Sequence, residues 1–179
     1  MRCVMNDQNT LILQILREED LSEIINTFNF PWTSLQATKE KWERYYAEQQ
    51  RNARTVCIAK FDDEFVGYGS LLSVSEYPNF RNDGIPEIHD VWVSEEHRGN
   101  GIGKRLVQYL EKLAQQENYK QIGIGVGLYQ DYGRAQKLYV HLGYVPDGQG
   151  VTYKYQSVVP GEPYPLDDDL VIWLKKDLP

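Results

Sequence analysis

Residues 91–104 decide the fold, and they read Val91-Trp92-Val93-Ser94-Glu95-Glu96-His97-Arg98-Gly99-Asn100-Gly101-Ile102-Gly103-Lys104. Three glycines stand between a short apolar run, typical of a β-strand, and a periodic apolar pattern, typical of a helix. Backbone without Cβ atoms can turn sharply and point several N–H groups at one place, where the positive end of a helix dipole attracts anions. Arg98 and Lys104 add positive charge beside it. The stretch therefore predicts a turn that binds phosphate groups.

Two common phosphate-binding loops do not fit this turn. A Walker A loop needs Gly-x-x-x-x-Gly-Lys-Ser/Thr, but Arg98 occupies the first glycine position and Arg105 replaces the hydroxyl residue. A Rossmann turn needs Gly-x-Gly-x-x-Gly, and here the third glycine comes one residue early. The pattern that remains is Arg-x-x-Gly-x-Gly, formed by Arg98, Gly101 and Gly103 between a strand and an amphipathic helix.

Apolar periodicity on both sides of the turn predicts a single domain over residues 1–179 with the element order βααβββαβαββ. Strands are expected at 11–16, 55–60, 64–74, 87–93, 121–128 and 170–174, with a further strand near Tyr144-Val145. Helices are expected at 21–28, 38–50, 102–114 and 135–142. This order predicts an α/β (mixed α+β) fold, with a central twisted mixed sheet flanked by helices.

Some segments carry more local signals. Asp20 and Glu23 are expected to form a capping box at the first helix. The segment 77–86 is rich in Pro, Asn, Asp and Gly, so a surface loop is expected there. Gly123, Gly125 and Gly127 alternate with apolar residues, which predicts that something approaches one face of their strand closely. The conformation of 148–169, a long loop or a cover over the site, stays open.

Composition narrows the class of function. The 179-residue chain has a formal net charge of −7, which disfavours nucleic acid and favours cationic small molecules or basic peptides as partners. It has no apolar run of roughly 20 residues and no N-terminal signal core, so no membrane association and a cytoplasmic location are expected. His89, His97 and His141 lack partners at a metal-site spacing, so no metal is expected. Cys3 and Cys57 are expected to be free thiols.

In this context the chain resembles the GNAT superfamily of acetyl-CoA-dependent N-acetyltransferases. The acyl-CoA motif of that family is Gln/Arg-x-x-Gly-x-Gly/Ala, which the Arg-x-x-Gly-x-Gly pattern matches. A later family motif is Asn-x-x-Ala-x-x-Leu-Tyr-x-x-x-Gly-Phe. The positions that match it are Ala135, Leu138, Tyr139, Gly143 and Tyr144. The element order also agrees over nearly the whole chain, which departs from the family at Tyr132, where Asn is common.

The resemblance implies that acetyl-CoA, as acyl-donor cosubstrate, lies in a V-shaped gap between strands 87–93 and 121–128. The glycines of the second strand would leave room for it. Backbone groups of the first strand would bind the pantetheine arm, one N–H would polarise the thioester carbonyl, and the turn would bind the pyrophosphate. The residues implied in cofactor binding are Val91, Trp92, Val93, Arg98, Gly99, Asn100, Gly101, Ile102, Gly103, Lys104 and Tyr132.

Two residues are the candidates for proton transfer. A base is needed because only a neutral amine is nucleophilic, and Glu87 lies where similar enzymes carry a catalytic glutamate. His89 or Asp90 could serve instead, since strand faces alternate and a bulge would exchange them. Tyr139 matches the tyrosine that many relatives place near the CoA sulfur, and it is the candidate general acid.

The expected function is acetyl transfer from acetyl-CoA to a primary amine of a small molecule or peptide by direct attack. The alternative is a noncatalytic acyl-CoA-binding regulatory module. Aromatic and acidic residues near the first two helices and the tail could hold a cationic acceptor. They are Phe30, Trp32, Trp42, Tyr45, Tyr46, Tyr153, Tyr155, Asp167, Asp168 and Asp169. The tyrosine-rich tail makes a homodimer a further expectation.

Overall fold

The structure is a computed structural model, and it describes residues 10–179. Its strands are β1 (Leu11–Ile15), β2 (Arg54–Phe61), β3 (Glu64–Leu72), β4 (Glu87–Val93), β5 (Gln121–Gly127), β6 (Val145–Tyr153), β7 (Gln156–Ser157) and β8 (Leu170–Asp177). Its α-helices are α1 (Leu21–Thr27), α2 (Leu35–Gln50), α3 (Pro78–Asp83), α4 (Ile102–Gln116) and α5 (Gly133–His141). Short 3₁₀ turns lie at Glu18–Asp20, Glu95–His97 and Gln130–Tyr132.

The strands of the described chain form one mixed sheet in the order β1-β2-β3-β4-β5-β8-β6-β7. Neighbouring strands are antiparallel except β4 and β5, which are parallel. These two strands pair only at Glu87–Gly123 and Ile88–Ile124, and beyond those residues a gap opens between them. The sheet and its flanking helices confirm the predicted fold class.

Apolar side chains cover both faces of the sheet, because successive strand residues point to opposite sides. On one face, α4 buries Leu106 and Leu110 against Ile88 and other strand residues. On the other face, α1 and α2 bury Ile24 and Trp42 over β2 and β3. The middle strand β4 therefore has one face in the α4 core and one face toward α2.

Two predicted chain reversals are confirmed. Asp62 and Asp63 join β2 to β3 with φ angles of +49° and +67°, as the paired aspartates indicated for a tight turn. Gly143 follows α5 with a φ of +90°, a left-handed conformation that commonly ends helices.

Helix α3 shows that the prediction of a surface loop over 77–86 is wrong. Pro78 stands in the first turn of the helix, and Gly84 ends it with a φ of +66°. Pro and Gly mark helix boundaries as well as turns, so composition alone is misleading here. Tyr77, Phe80 and Ile85 are buried in a cluster with Trp173, and this burial stabilises the short helix.

Helix α1 begins without the predicted capping box. The Asp20 carboxylate accepts hydrogen bonds from the backbone N–H and the Nε of Arg17, at 3.0 and 3.3 Å. It makes no cap contact with α1. Asp20 instead caps the 3₁₀ turn that precedes the helix, by accepting the backbone N–H of Arg17. The predicted capping interaction therefore belongs to that turn and not to α1.

The segment 148–169 is partly a hairpin. Strand β6 continues to Tyr153, turns through Lys154 and Tyr155 with φ angles of +49° and +65°, and pairs with β7. The described chain thus contains the predicted elements in the predicted order, together with α3 and β7.

Two further findings concern the membrane and the thiols. Between residues 10 and 179, no helix is both long and apolar enough to span a bilayer. Cys57 is a buried free cysteine, and Cys3 lies outside the described residues.

Candidate active site

A cleft of about 1280 Å³ follows the gap between β4 and β5. It brings together most of the residues that the sequence assigned to a site, and these are Glu87, His89, Asp90, Val91, Trp92, Val93, Arg98, Gly99, Gly101, Ile102, Gly103, Lys104, Tyr132 and Tyr139. Asn100 is not among the lining residues, because its side chain turns back to the carbonyl O of His97 at 3.3 Å.

The glycine-rich turn leaves the start of α4 uncapped. Gly99 and Gly101 have φ angles of +87° and +79°, a region that favours glycine. Gly101 is the N-cap of α4, and no side chain accepts a hydrogen bond from the first turn. The first N–H groups of a helix have no acceptor inside it. The free amides at the cleft therefore fit an anionic group such as a pyrophosphate.

The backbone of β4 presents polar groups to the gap. Ser94 donates its N–H to the carbonyl of Val66 in β3 at 2.9 Å. Successive strand residues direct their backbone N–H and C=O groups to opposite edges of the strand. The N–H and C=O groups of Val91 and Val93 therefore point away from β3 and into the gap. The Val93 carbonyl accepts a hydrogen bond from Arg98 Nε at 3.0 Å. The groups of Val91 are thus the ones best placed to bind an extended ligand.

A bulge in β4 sets this direction. Tyr68 pairs with Trp92 and Ser70 with His89, so Gly69 faces two residues, Asp90 and Val91. Asp90 has a φ of +54°. The extra residue places His89 and Asp90 together on the α2 side of the sheet, whereas Val91 packs toward α4.

Glu87 is the buried carboxylate of the cleft. Its side chain is 3% exposed, and its Oε2 accepts a hydrogen bond from Ser75 Oγ at 2.5 Å. Burial raises the pKa of Glu87 to about 7, although the Ser75 hydrogen bond opposes this rise. A carboxylate with this pKa can take up and release a proton near neutral pH.

The structure makes the two alternative bases less suitable. Burial acts to raise the pKa of Asp90, but an ion pair with Lys41 Nζ at 2.7 Å outweighs it, so the pKa is lowered. A carboxylate held ionised in this way is a weak base. Burial lowers the pKa of His89, and Arg54 Nη1 lies 3.4 Å from its Nδ1. The lowered pKa makes the His89 imidazole a weaker base. Because a guanidinium only donates hydrogen bonds, Nδ1 of His89 accepts one from Arg54, and the ring proton is assigned to Nε2.

Tyr139 lines the cleft from α5. It is 6% exposed, and burial raises its pKa. The phenol therefore stays protonated at neutral pH and can act as a proton donor, although burial makes it a weaker acid than a free tyrosine.

Comparison with known proteins decides the family. A family model described as "Acetyltransferase (GNAT) family" matches residues 20–144, well over half of the chain. The chain belongs to the GNAT acetyltransferase family. This result agrees with the glycine-rich turn at the start of α4 and with the motif in α5.

Sequence relatives of this GNAT chain are distant. It is 24% identical over 121 residues to N-alpha-acetyltransferase 40 of Saccharomyces cerevisiae, in a match that covers 59% of this chain and 42% of that protein. It is 31% identical over 77 residues to an uncharacterized N-acetyltransferase of Archaeoglobus fulgidus, covering 43% of this chain and 52% of that one. The matches thus span about half the length of these relatives.

The GNAT fold is also found by structural comparison. The Salmonella typhimurium protein yncA, solved with its cofactor acetyl-CoA, is similar with a TM-score of 0.66 and 18% identity. The match covers 95% of each chain, so it includes nearly all of the described sheet and helices.

The glycines of β5 do not leave room for a ligand in this GNAT domain. A Cβ at Gly123 would lie 2.0 Å from a ring carbon of Phe80, and one at Gly125 would lie 2.9 Å from Trp173. A Cβ at Gly127 would lie 2.5 Å from the ring of Tyr132. The predicted close approach is confirmed, but aromatic rings of the protein itself fill the space.

Tyr132 occupies the position where GNAT proteins commonly carry Asn. Its hydroxyl donates to Asp168 Oδ1 at 2.9 Å, and the Tyr129 hydroxyl donates to the same atom. A contact between Tyr132 and the pantetheine stays a prediction, and the phenol is already engaged by Asp168.

Only some of the residues expected to contact the acceptor line the cleft. Those that do are Phe30, Trp32, Tyr155, Asp168 and Asp169. Trp42 and Tyr45 are instead buried beneath α2, so they do not contact an acceptor directly. The residues that do not line the cleft also include Tyr46, Tyr153 and Asp167.

Sequence reasoning missed Ser75 and Lys41, the side chains that contact the carboxylates of Glu87 and Asp90. Ser75 contacts Glu87 from the loop before α3, and no sequence pattern indicates that contact. For Lys41 the sequence offers only a weak indication: it lies four residues before Tyr45, so the two side chains share one face of α2.

Proposed function

We propose that this protein transfers an acetyl group from acetyl-CoA to a primary amine of a small molecule or peptide by direct attack. The observation that carries the proposal is the alignment of the uncapped α4 start with the free β4 edge at Val91. Together they offer an anion site and an extended backbone edge along one cleft. Membership of the GNAT family supports the same reaction.

The roles of the residues follow from their environments. When bound, acetyl-CoA would supply an activated thioester. Glu87 would take a proton from the acceptor ammonium, because its pKa of about 7 suits a base at neutral pH. Tyr139 of α5 would hold a proton for the departing thiolate. The amide groups of Gly101 to Lys104 would hold the pyrophosphate, and the Val91 backbone would align the pantetheine.

The acceptor site favours a cation. Glu87, Asp168 and Asp169 contribute carboxyl groups to the cleft, while the exposed Trp32 stacks on Phe30 with ring centres 4.8 Å apart. Aromatic faces and carboxylates together attract ammonium groups. The name of the yeast relative, an N-alpha-acetyltransferase, supports peptide N-termini as one acceptor class beside small amines.

A turnover assay tests the two catalytic assignments. Thiol release is measured with acetyl-CoA and a panel of primary amines and short peptides. We expect Glu87→Gln to lower kcat at pH 7 by about 10²–10⁴-fold, as loss of a general base does, while leaving acetyl-CoA affinity nearly unchanged. Tyr139→Phe should lower kcat by a smaller factor at unchanged affinity.

The outcomes separate enzyme from regulator. Equal turnover in the wild type and both variants would contradict the assignment of Glu87 as general base and Tyr139 as general acid. Tight acetyl-CoA binding without thiol release for any amine would favour a noncatalytic acyl-CoA-binding module instead.

Three wider expectations remain proposals. No three His, Cys, Asp or Glu side chains are grouped as a metal site would require in the part of the chain that the structure describes, and the absence of a metal cofactor stays a prediction. A cytoplasmic location also stays a prediction. A homodimer is proposed from the aromatic tail, and light scattering would measure it directly.

A further inference from the structure

The Asp90 carboxylate ties the β4 bulge to α2. Its Oδ2 lies 2.7 Å from Lys41 Nζ and accepts a hydrogen bond from the Tyr45 hydroxyl at 2.9 Å. The Lys41 ammonium also donates to the Tyr68 hydroxyl at 2.9 Å and lies 4.8 Å from the centre of that ring. Three elements, α2, β3 and β4, meet at this group. We name Lys41, Tyr45 and Asp90 the bulge clamp.

The bulge needs such a restraint. Asp90 has a φ of +54°, in the left-handed region that residues with a side chain enter at a cost, although Asn and Asp enter it more readily than the others. Backbone of this kind persists only where the surroundings hold it. The Lys41 and Asp90 side chains are each 28% exposed, so their ion pair is shielded from solvent more than a surface pair. The clamp therefore supplies a restraint on the conformation of Asp90.

The bulge decides which amide faces the gap. The Pro86 carbonyl accepts a hydrogen bond from Gly123 of β5 at 2.9 Å, so regular alternation would direct Ile88, then Asp90, then Trp92 toward β5. The extra residue shifts this alternation by one. As a result, Val91 directs its N–H into the gap and Trp92 pairs with β3.

We propose that the bulge clamp positions the Val91 N–H for acetyl transfer. Lys41 and Tyr45 hold Asp90, Asp90 holds the bulge, and the bulge aims the Val91 N–H at the thioester carbonyl of bound acetyl-CoA. The inference rests on the proposed function. Lys41, Tyr45 and Asp90 are positioning residues, and proton transfer stays with Glu87.

The clamp also borders the cleft itself. Thr38 and Lys41 of α2 line the cleft, and Lys41 contacts Asp90, the residue next to Val91 in the chain.

An infrared measurement tests the clamp without an acceptor. Acetyl-CoA labelled with ¹³C at the thioester carbonyl is bound to the full chain, and its carbonyl band is compared with that of the free compound. A hydrogen bond from Val91 weakens the carbonyl bond, so the wild-type band should lie at lower frequency. In Lys41→Met and Asp90→Gly we expect the band to move back toward the free value.

Matched variants separate positioning from folding. Asp90→Gly keeps the positive φ accessible, so a changed band reports loss of the carboxylate. Lys41→Arg keeps the cation and should restore the shift, and Lys39→Met, an exposed lysine on the same helix, should not alter it. All four variants should keep the wild-type circular dichroism spectrum, which shows that the fold is retained, and each band is recorded at a saturating concentration of acetyl-CoA.

Each result has one reading. A band at the same shifted frequency in the wild type, Lys41→Met and Asp90→Gly would overturn the bulge clamp and leave the proposed function standing. A wild-type band at the free value would also overturn it, because no protein group would then polarise the carbonyl. Failure of the wild type to bind acetyl-CoA would overturn the proposed function itself.

Discussion

At the scale of single residues, the base strength of Glu87 depends on two opposing effects. Burial favours the neutral carboxylic acid, whereas the hydroxyl of Ser75 stabilises the carboxylate through a hydrogen bond of 2.5 Å. Ser75 is itself held in place, because its Oγ accepts the backbone N–H of Tyr77 at 3.0 Å. The pKa of Glu87, about 7, therefore depends on the loop before α3 as well as on β4.

Removal of the Ser75 hydroxyl should shift the pH dependence of the reaction. In Ser75→Ala the carboxylate loses a hydrogen bond that favours its charged form, so we expect the pKa of Glu87 to rise further. The base must be deprotonated to act, so the acidic limb of the kcat/KM profile should move to higher pH. Thiol release at pH 7 should fall, and at pH 9 it should approach the wild-type rate.

Ser73→Ala is the matched control for this change. The Ser73 hydroxyl donates to the backbone carbonyls of Asn52 and Ala53, away from Glu87, so its pH profile should follow the wild type. Profiles for Ser75→Ala and the wild type that coincide would contradict Glu87 as the base.

At the scale of elements, the glycines of β5 are packing positions. Gly123 faces Phe80 of α3, and an added Cβ would lie 2.0 Å from its ring. We expect Gly123→Ala to lower the free energy of unfolding by about 1–3 kcal/mol, as overpacking of a core does. Urea denaturation measures the loss. Because α3 is packed through Phe80, the same change should loosen the loop that carries Ser75.

Gly133 offers a contrasting substitution in α5. An added Cβ there meets no atom within 4 Å, and the backbone is already helical. Gly133→Ala should therefore leave stability unchanged or raise it by up to about 1 kcal/mol through helix propensity. Equal destabilisation by both substitutions would show that packing against Phe80 is not the cause.

Element boundaries were predictable where local signals agree. Strand β4 was predicted at 87–93 and is observed at Glu87–Val93, because its apolar run ends just before the glycine-rich turn. Helix α3 was missed because Pro78 and Gly84 mark either a turn or a short helix, and only the burial of Phe80 decides between them. The alternating glycines of β5 showed that something lies close, but not that it is Phe80, Trp173 and Tyr132.

The scale of the whole molecule shows what sequence spacing cannot supply. The turn at 98–104, Glu87 and Tyr139 could be found because each matches a short pattern of a known family. Ser75 and Lys41 reach the site only through the folded sheet, since the rest of α2 together with β2, β3 and α3 separates Lys41 from Asp90 along the chain. The sequence allowed for a bulge in β4. Which backbone N–H the bulge turns into the gap depends on these tertiary contacts.

The weak junction between the two halves of the sheet predicts how the molecule responds to its acyl donor. Strands β4 and β5 share only two residue pairs, so a ligand that binds along the gap adds contacts between the halves. A ligand at a hundred times its Kd stabilises the folded state by about 2.7 kcal/mol. For a chain of this size, that corresponds to a rise in Tm of about 5–10 °C.

Acetyl-CoA and CoA should both give this rise in a thermal-shift titration, with added hydrogen-exchange protection at Val91 and at Ile102 to Lys104. NAD carries a pyrophosphate but no pantetheine arm, so it should stabilise the fold much less. An equal rise with NAD would mean that the turn binds phosphates while the gap takes no part. No rise with any CoA compound at saturating concentration would leave the cleft without its proposed acyl donor, because a ligand that binds only the folded state must stabilise it.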